Sequence, residues 1–91
     1  MRLTKSKDLV EHVDNGECSV LNMQNGNFYG LHDVAAKIWT VLDETDNTSE
    51  IVDLLSRTYT NVEKEALKAD INSFIKKLIR EGLVKEIWKK L

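Results

Sequence analysis

The chain has 91 residues, of which 42% are hydrophobic and 31% charged, and its formal net charge is −2 at pH 7. This composition excludes an intrinsically disordered chain. The slightly acidic charge argues against a nucleic-acid binder, which displays a concentrated basic face. Because a chain of this length buries roughly 60–70% of its unfolded surface, we expect one domain over residues 1–91, with a core from about 8 to 84 and a C-terminal tail at 85–91.

The sequence carries no sign of a membrane span or an export signal. No apolar run approaches the roughly 20 residues that cross a bilayer, and no apolar segment follows the basic start at residues 1–7. Cys18 is the only cysteine, which leaves no partner for an internal disulfide and fits a reducing compartment. We therefore expect a cytoplasmic protein.

Two Asn-Gly pairs, Asn15-Gly16 and Asn25-Gly26, predict two β-hairpins, because a type I′ turn requires positive φ at both central residues. The predicted strands cover residues 8–13, 17–23 and 27–31. The middle strand then pairs on both sides. The third strand is an open edge that carries no charge or proline to block further pairing.

Two-residue turns also fix the pairing of the strands. The expected pairs are Val13 with Cys18 and Glu11 with Val20, then Met23 with Phe28 and Asn22 with Tyr29. One face of the sheet is the core face, with Leu9, Val13, Cys18, Val20, Tyr29 and Leu31. The opposite, outer face carries Val10, Leu21, Met23 and Phe28 among polar residues.

Three helices are predicted after the sheet. The first begins at His32 or Asp33 and ends near residue 43, Thr48 caps the second, and the third runs from its cap Asn61 to Glu81, with Gly82 as a left-handed end. Each helix has one apolar side. The first carries Val34, Ala35, Ile38, Trp39 and Leu42, the second Ile51, Leu54, Leu55 and Tyr59, and the third Leu67, Ile71, Phe74, Ile75 and Leu78. The tail either docks on the body or stays free.

A three-stranded sheet cannot bury its core face alone, so the helices must cover it. The expected fold class is α+β, with a winged helix-turn-helix-like arrangement of a three-stranded antiparallel sheet followed by three helices.

The reactive residue types form no pattern that indicates catalysis or metal binding. Cys18 lies on the core face without a basic neighbour in sequence, so we expect a buried structural thiol. His12 and His32 lack metal-ligand spacing, and His32 fits a helix start. Trp39 is expected in the core, whereas Trp88 in the tail is either a core residue or an exposed contact. We expect no catalytic residue, no metal and no cofactor.

Two kinds of binding surface remain open. The unpaired backbone groups of residues 27–31 can accept an extended peptide as a fourth strand, although the same edge can be merely solvated or covered by the tail. The alternative is DNA binding through helix three. Its five basic and four acidic residues are interspersed, as on a solvated helix face, whereas phosphate binding needs clustered charge of one sign.

The passage from Tyr29 to Trp39, YGLHDVAAKIW, resembles the Y-x-L-N-x-x-A-x-x-I-W passage of PqqD-like proteins. The similarity continues through Leu42-Asp43 and residues 48–51, 69–78 and 82–84, and it covers nearly the whole chain from about residue 9. His32 stands where the family usually has asparagine, and both residue types can cap a helix.

The resemblance implies a precursor-peptide recognition element for ribosomally synthesised, post-translationally modified peptides. Such a domain is not catalytic; it captures the leader segment of a precursor by strand addition and delivers it to modifying enzymes. The chain is most similar to the free-standing leader-binding proteins of lasso-peptide biosynthesis, whose partners are a leader-cleaving cysteine protease and an ATP-dependent cyclase. A chaperone for a radical SAM enzyme is the nearby alternative. No nucleic acid or membrane partner is expected, and an open edge permits a monomer or a strand-swapped dimer.

The residues and the resemblance together predict a groove between the third strand and helix three. Asp70 and Phe74 lie at positions that match the family, and Ser73 and Lys77 share their flank of the helix. The strand would supply backbone hydrogen bonds, Tyr29 and Phe74 an apolar pocket, and Asp70 and Lys77 a reading of charge. The expected peptide-binding residues are Asn27, Phe28, Tyr29, Gly30, Leu31, Asp70, Ser73, Phe74 and Lys77.

Overall fold

The computed structural model describes residues 2–87 and has an α+β fold. Its elements, in chain order, are β1 (Arg2–Lys5), β2 (Leu9–Asp14), β3 (Glu17–Asn22), β4 (Phe28–Leu31), α1 (Asp33–Val41), α2 (Thr48–Thr58), α3 (Lys64–Arg80) and β5 (Val84–Ile87). The predicted three-stranded sheet followed by three helices is confirmed.

The main sheet is antiparallel with the order β2-β3-β4, so β4 lies at an edge, as predicted. The first hairpin has the predicted register, in which Val13 pairs with Cys18. Its turn residues Asn15 and Gly16 have φ of 50° and 77°, the positive values that a type I′ turn requires.

The predicted register of the second hairpin is wrong by two residues. Phe28 pairs with Leu21 instead of Met23, and Tyr29 pairs with Val20 instead of Asn22. Asn25-Gly26 is not a two-residue turn here, because the Asn22 N–H donates to the Asn27 carbonyl at 2.9 Å and closes a longer loop. The shift is even, so every side chain stays on its predicted face.

A second, two-stranded sheet was missed. β1 pairs with β5 from Arg2↔Ile87 to Lys5↔Val84, and we call this pair the terminal ribbon. Residues 85–87 of the predicted tail therefore belong to a strand, whereas Trp88 lies outside the described residues. Strands of four residues are too short to show an alternating pattern, and nothing local indicates that the two chain ends pair.

The helices cover the core face of the main sheet. Trp39, Val20, Ile51, Leu55 and Ile71 are fully buried. The prediction that Val13 lies in the core is wrong. This residue is 55% exposed, because it lies beside the hairpin turn on an edge strand. Within residues 2–87, no helix has both the length and the apolar character needed to cross a membrane.

The predicted start of α1 is confirmed, since His32 is its N-cap residue, and so is the helix end at Gly82; the other helix ends differ from prediction by a few residues. The α2 cap is Asn47, whose side chain accepts the Ser49 N–H at 2.9 Å, and α3 follows Glu63 instead of Asn61. Gly82 has φ of 76°, and the Leu83 N–H donates to the Leu78 carbonyl at 2.9 Å. This left-handed ending turns the chain out of α3 and into β5.

Candidate functional site

A groove of about 240 Å³ separates β4 from the C-terminal half of α3. All four residues of β4 line one side of it. Phe74, Lys77, Leu78 and Glu81 line the helix side, and Leu83 lies just beyond the helix end. We call this feature the edge groove, because it runs alongside the open edge of the main sheet.

The structure brings six of the nine predicted binding residues together on the edge groove: Phe28, Tyr29, Gly30, Leu31, Phe74 and Lys77. Asn27 precedes β4, and Asp70 and Ser73 are exposed on α3 closer to its N-terminus. These three residues are absent from the groove lining, and their part in binding stays a prediction.

Sequence reasoning missed Leu78, Glu81 and Leu83. Leu78 was assigned to the core, and it is buried there while it also contributes to the groove. Glu81 follows Lys77 by four residues and Phe74 by seven, so helical spacing alone could have found it. Leu83 depends on the direction in which the chain leaves Gly82, for which no local pattern exists.

The free backbone groups of β4 belong to alternate residues. The Asn22 N–H bonds the Asn27 carbonyl at 2.9 Å, and hydrogen-bonded pairs recur every second residue along an antiparallel ladder. Tyr29 and Leu31 are therefore bonded to β3. The N–H and C=O groups of Phe28 and Gly30 point to the open edge, where a further strand can pair with them.

Side chains of β4 alternate in the same way between the two faces of the sheet. Leu31 is 8% exposed on the core face, and Tyr29, on the same face, is half-buried against the core. Gly30 has room for a side chain, since an added Cβ would meet only the His32 Nε2 at 3.5 Å. The groove floor is thus apolar while the backbone beside it is accessible.

One side-chain hydrogen bond crosses the edge groove. The Tyr29 hydroxyl, part-buried, donates to the Glu81 Oε2 at 3.1 Å. Glu81 is the C-terminal cap residue of α3 and is half-buried. This bond fixes the position of the tyrosine ring over the groove.

The outer face of the main sheet carries a second apolar feature, which we call the outer row. Val10 pairs with Leu21 and Leu21 with Phe28, and Met23 follows on the same face. Val10, Met23 and Phe28 are 54%, 60% and 67% exposed. The helices do not cover this face, so the row lies open beside the edge.

Other candidate residues have structural roles. Burial raises the pKa of the Cys18 thiol, which keeps it protonated and unreactive, and its Sγ donates to the Ala36 carbonyl at 3.8 Å. The buried Trp39 Nε1 donates to the Glu11 Oε1 at 2.6 Å, and the Lys5 ammonium lies 4.2 Å from the centre of its ring. Residues 2–87 contain no group of three side chains suited to bind a metal.

A larger depression of about 640 Å³ lies between the terminal ribbon and the connector from α1 to α2. Its lining includes the acidic residues Asp43, Glu44, Asp46 and Glu50. Arg2 and Lys5 already pair with two of these, at 2.7 Å to Asp46 and 3.0 Å to Asp43. Most of its lining residues are polar or charged, so the more apolar edge groove is the better candidate site for a peptide.

A protein-family model matches most of the chain. The model of the family described as coenzyme PQQ synthesis protein D (PqqD) matches residues 17–84. No curated protein sequence matches the chain.

Two solved structures share the fold. TbiB1 in complex with the TbiA(beta) leader peptide is 27% identical, with a TM-score of 0.86 over 94% of this chain and 99% of that one. A lasso peptide synthetase B1 complexed with the leader peptide is 19% identical, with a TM-score of 0.82 over 94% of this chain and 100% of that one. For this second structure, which is 19% identical, the likeness shows the fold alone.

Proposed function

The chain belongs to the PqqD family, and we propose that it binds the leader segment of a ribosomally made precursor peptide as a fourth strand on β4. The observation that carries the proposal is the open edge of β4 beside an apolar groove. Strand addition with a neighbouring side-chain pocket is a recurring mode of peptide recognition. The likeness to TbiB1, a structure solved with a leader peptide, supports leader binding by this chain, and we propose lasso-peptide or related biosynthesis as its setting.

The edge supplies affinity and the groove supplies selectivity. Four backbone bonds at Phe28 and Gly30, worth about 1 kcal/mol each, amount to about 4 kcal/mol. One or two apolar side chains buried in the groove add about 2 kcal/mol each. Micromolar binding corresponds to about 8 kcal/mol after the cost of ordering the peptide. Edge and groove alone therefore fall short, and contacts from Asn27, Asp70 and Ser73 beyond the groove belong to the proposal.

The role we propose is delivery, without catalysis by this chain. The partners would be a leader-cleaving cysteine protease and an ATP-dependent cyclase in the cytoplasm. The exposed outer row supports a second contact, since exposed apolar patches mark protein–protein surfaces. Leader cleavage by a cysteine protease of the proposed kind, measured with and without this chain, tests the delivery: an unchanged rate contradicts it.

Neither alternative function is favoured. DNA binding would use α3, but its exposed positions carry acidic as well as basic residues, which does not suit a phosphate backbone. A chaperone for a radical SAM enzyme would use the same edge groove, but the two solved structures that share the fold are both complexes with a leader peptide.

The experiment that tests the proposal is a fluorescence titration with the labelled leader of the precursor encoded beside this chain, at several salt concentrations. We expect binding at micromolar concentration or tighter that survives moderate salt, because apolar burial and backbone bonds are weakly screened. Replacing the apolar residues of the leader with alanine should abolish it. Absence of leader binding together with salt-sensitive binding to duplex DNA would contradict the proposal.

A further inference from the structure

The rim of the edge groove carries two charges of opposite sign. Lys77 and Glu81 both line it, and their separation of four residues places them about 6 Å apart along the helix axis. Among residues 2–87 neither forms a salt bridge. The groove therefore presents an exposed cation and a half-buried carboxylate to whatever enters it.

The position of Glu81 is not explained by helix stability. It is the C-terminal cap residue of α3, where the helix dipole disfavours a negative charge. Its one described side-chain bond comes from the uncharged Tyr29 hydroxyl. A partly desolvated carboxylate of this kind gains most from a cation, and a carboxylate has acceptor sites left after one bond.

We propose that Glu81 is a specificity-determining residue, which selects leader segments that carry Lys or Arg beside the apolar residue that fills the edge groove. This inference rests on the proposed function. Alternate residues of an extended peptide lie about 6.6–6.8 Å apart on one face, close to the spacing of one helix turn. With the apolar side chain against Phe74 and Leu78, the residue two positions along reaches Glu81.

The side chains of Lys and Arg suit this position for two reasons. Their aliphatic stems cover apolar surface while the charged end stays at the rim. Their charged end can donate to Glu81 without displacing Tyr29, and such a charge-assisted bond is stronger than a neutral one. Glu81 thereby adds a charge preference to a pocket that otherwise selects only apolar bulk.

The inference is tested with a phage-displayed library of random linear peptides, selected on the full chain. Three proteins are compared: the wild type, Glu81→Gln and Glu65→Gln. Glutamine keeps an oxygen that accepts the Tyr29 hydroxyl and removes only the charge. Glu65 is exposed in the first turn of α3 and is a matched control.

The wild type and Glu65→Gln should enrich peptides with Lys or Arg two positions from an apolar residue, and Glu81→Gln should lose that enrichment. For one enriched peptide, Glu81→Gln should raise Kd about tenfold. The effect should nearly vanish when the Lys or Arg of the peptide is replaced with Gln, as a double-mutant cycle requires for a direct contact.

Three outcomes contradict the inference in separable ways. Apolar peptides enriched without Lys or Arg would show that Glu81 only positions Tyr29, while leader binding stands. Equal enrichment by the wild type and Glu81→Gln would show that another residue reads the charge. Enrichment of no peptide by the wild type would overturn the proposed function, and the role of Glu81 with it.

Discussion

Gly30 holds the most consequential backbone position on β4. Its N–H and C=O point to the open edge, and a Cβ added at this position meets no atom beyond its chain neighbours closer than 3.5 Å. Proline is tolerated on edge strands when its missing N–H faces outward. A proline here therefore removes one edge donor without breaking the pairing with β3.

We predict that Gly30→Pro weakens leader binding at least tenfold and leaves the fold intact, because the ring blocks the edge as well as removing a donor. Val13→Pro is the matched control, since on β2 the even-numbered residues bond to β3 and the Val13 N–H faces the opposite edge. Fluorescence titration gives the affinities and circular dichroism reports the fold.

The outcome also distinguishes the two edges of the sheet. Loss of binding in Val13→Pro with retention in Gly30→Pro would move the leader to β2. Retention in both variants would exclude strand addition as the mode of binding.

Residue patterns and the family resemblance together predicted much of the candidate site. Tyr29 and Phe74 were predicted from helical and strand periodicity combined with the family resemblance, and both lie on the edge groove. The sequence did not predict Glu81 as a binding residue, because it is one of many charged residues on and beside α3. Its position relative to Tyr29 depends on how β4 and α3 pack, and spacing within one element cannot supply that.

At the scale of elements, Ser6, which directly follows β1, supports one end of the edge groove. The Ser6 N–H donates to the Leu83 carbonyl at 2.9 Å, and the Ser6 Oγ donates to the Gly82 carbonyl at 2.6 Å. Leu83 lines the groove, and Gly82 follows Glu81 directly. The N-terminal segment thus holds the end of α3 against the groove from a distant part of the chain.

Ser6→Ala should lower the free energy of unfolding by about 1 kcal/mol through loss of its side-chain bond, which corresponds to roughly 4–8 °C in Tm for a chain of this size. It should also weaken leader binding, because Leu83 and Glu81 lose support. Ser49→Ala is the control: Ser49 is exposed in α2, and such substitutions usually stay within about 0.5 kcal/mol. A thermal melt and a leader titration provide the two readouts, and equal effects in both variants would contradict the supporting role of Ser6.

Most helices and strands were predictable from the sequence, whereas the pairing of the strands was less so. Asn15-Gly16 fixed the first hairpin because both residues take positive φ. The same dipeptide at Asn25-Gly26 did not, since the Asn22 side chain accepts the Gln24 N–H at 3.0 Å and the loop follows a different course. β1 and β5 depend on each other and on the core beneath them, so neither has a local signal.

At the scale of the whole molecule, the two faces of the main sheet differ in use. The core face is covered by helices, and the outer row is exposed beside the edge. A peptide added to β4 would extend both the core face and the outer face of the main sheet. Its side chains would alternate, with one set directed into the edge groove and the other onto the outer face. Binding by strand addition is the claim on which the proposed delivery depends.

Residue-resolved amide hydrogen exchange, with and without saturating leader peptide, tests that claim most directly. Without leader, the amides of Tyr29 and Leu31 should exchange slowly, because they bond to β3, and those of Phe28 and Gly30 should exchange fast. Leader peptide should slow Phe28 and Gly30 strongly and leave the outward amides of β2 unchanged. Fast exchange of Phe28 and Gly30 at saturating leader, or new protection on β2, would contradict strand addition to β4.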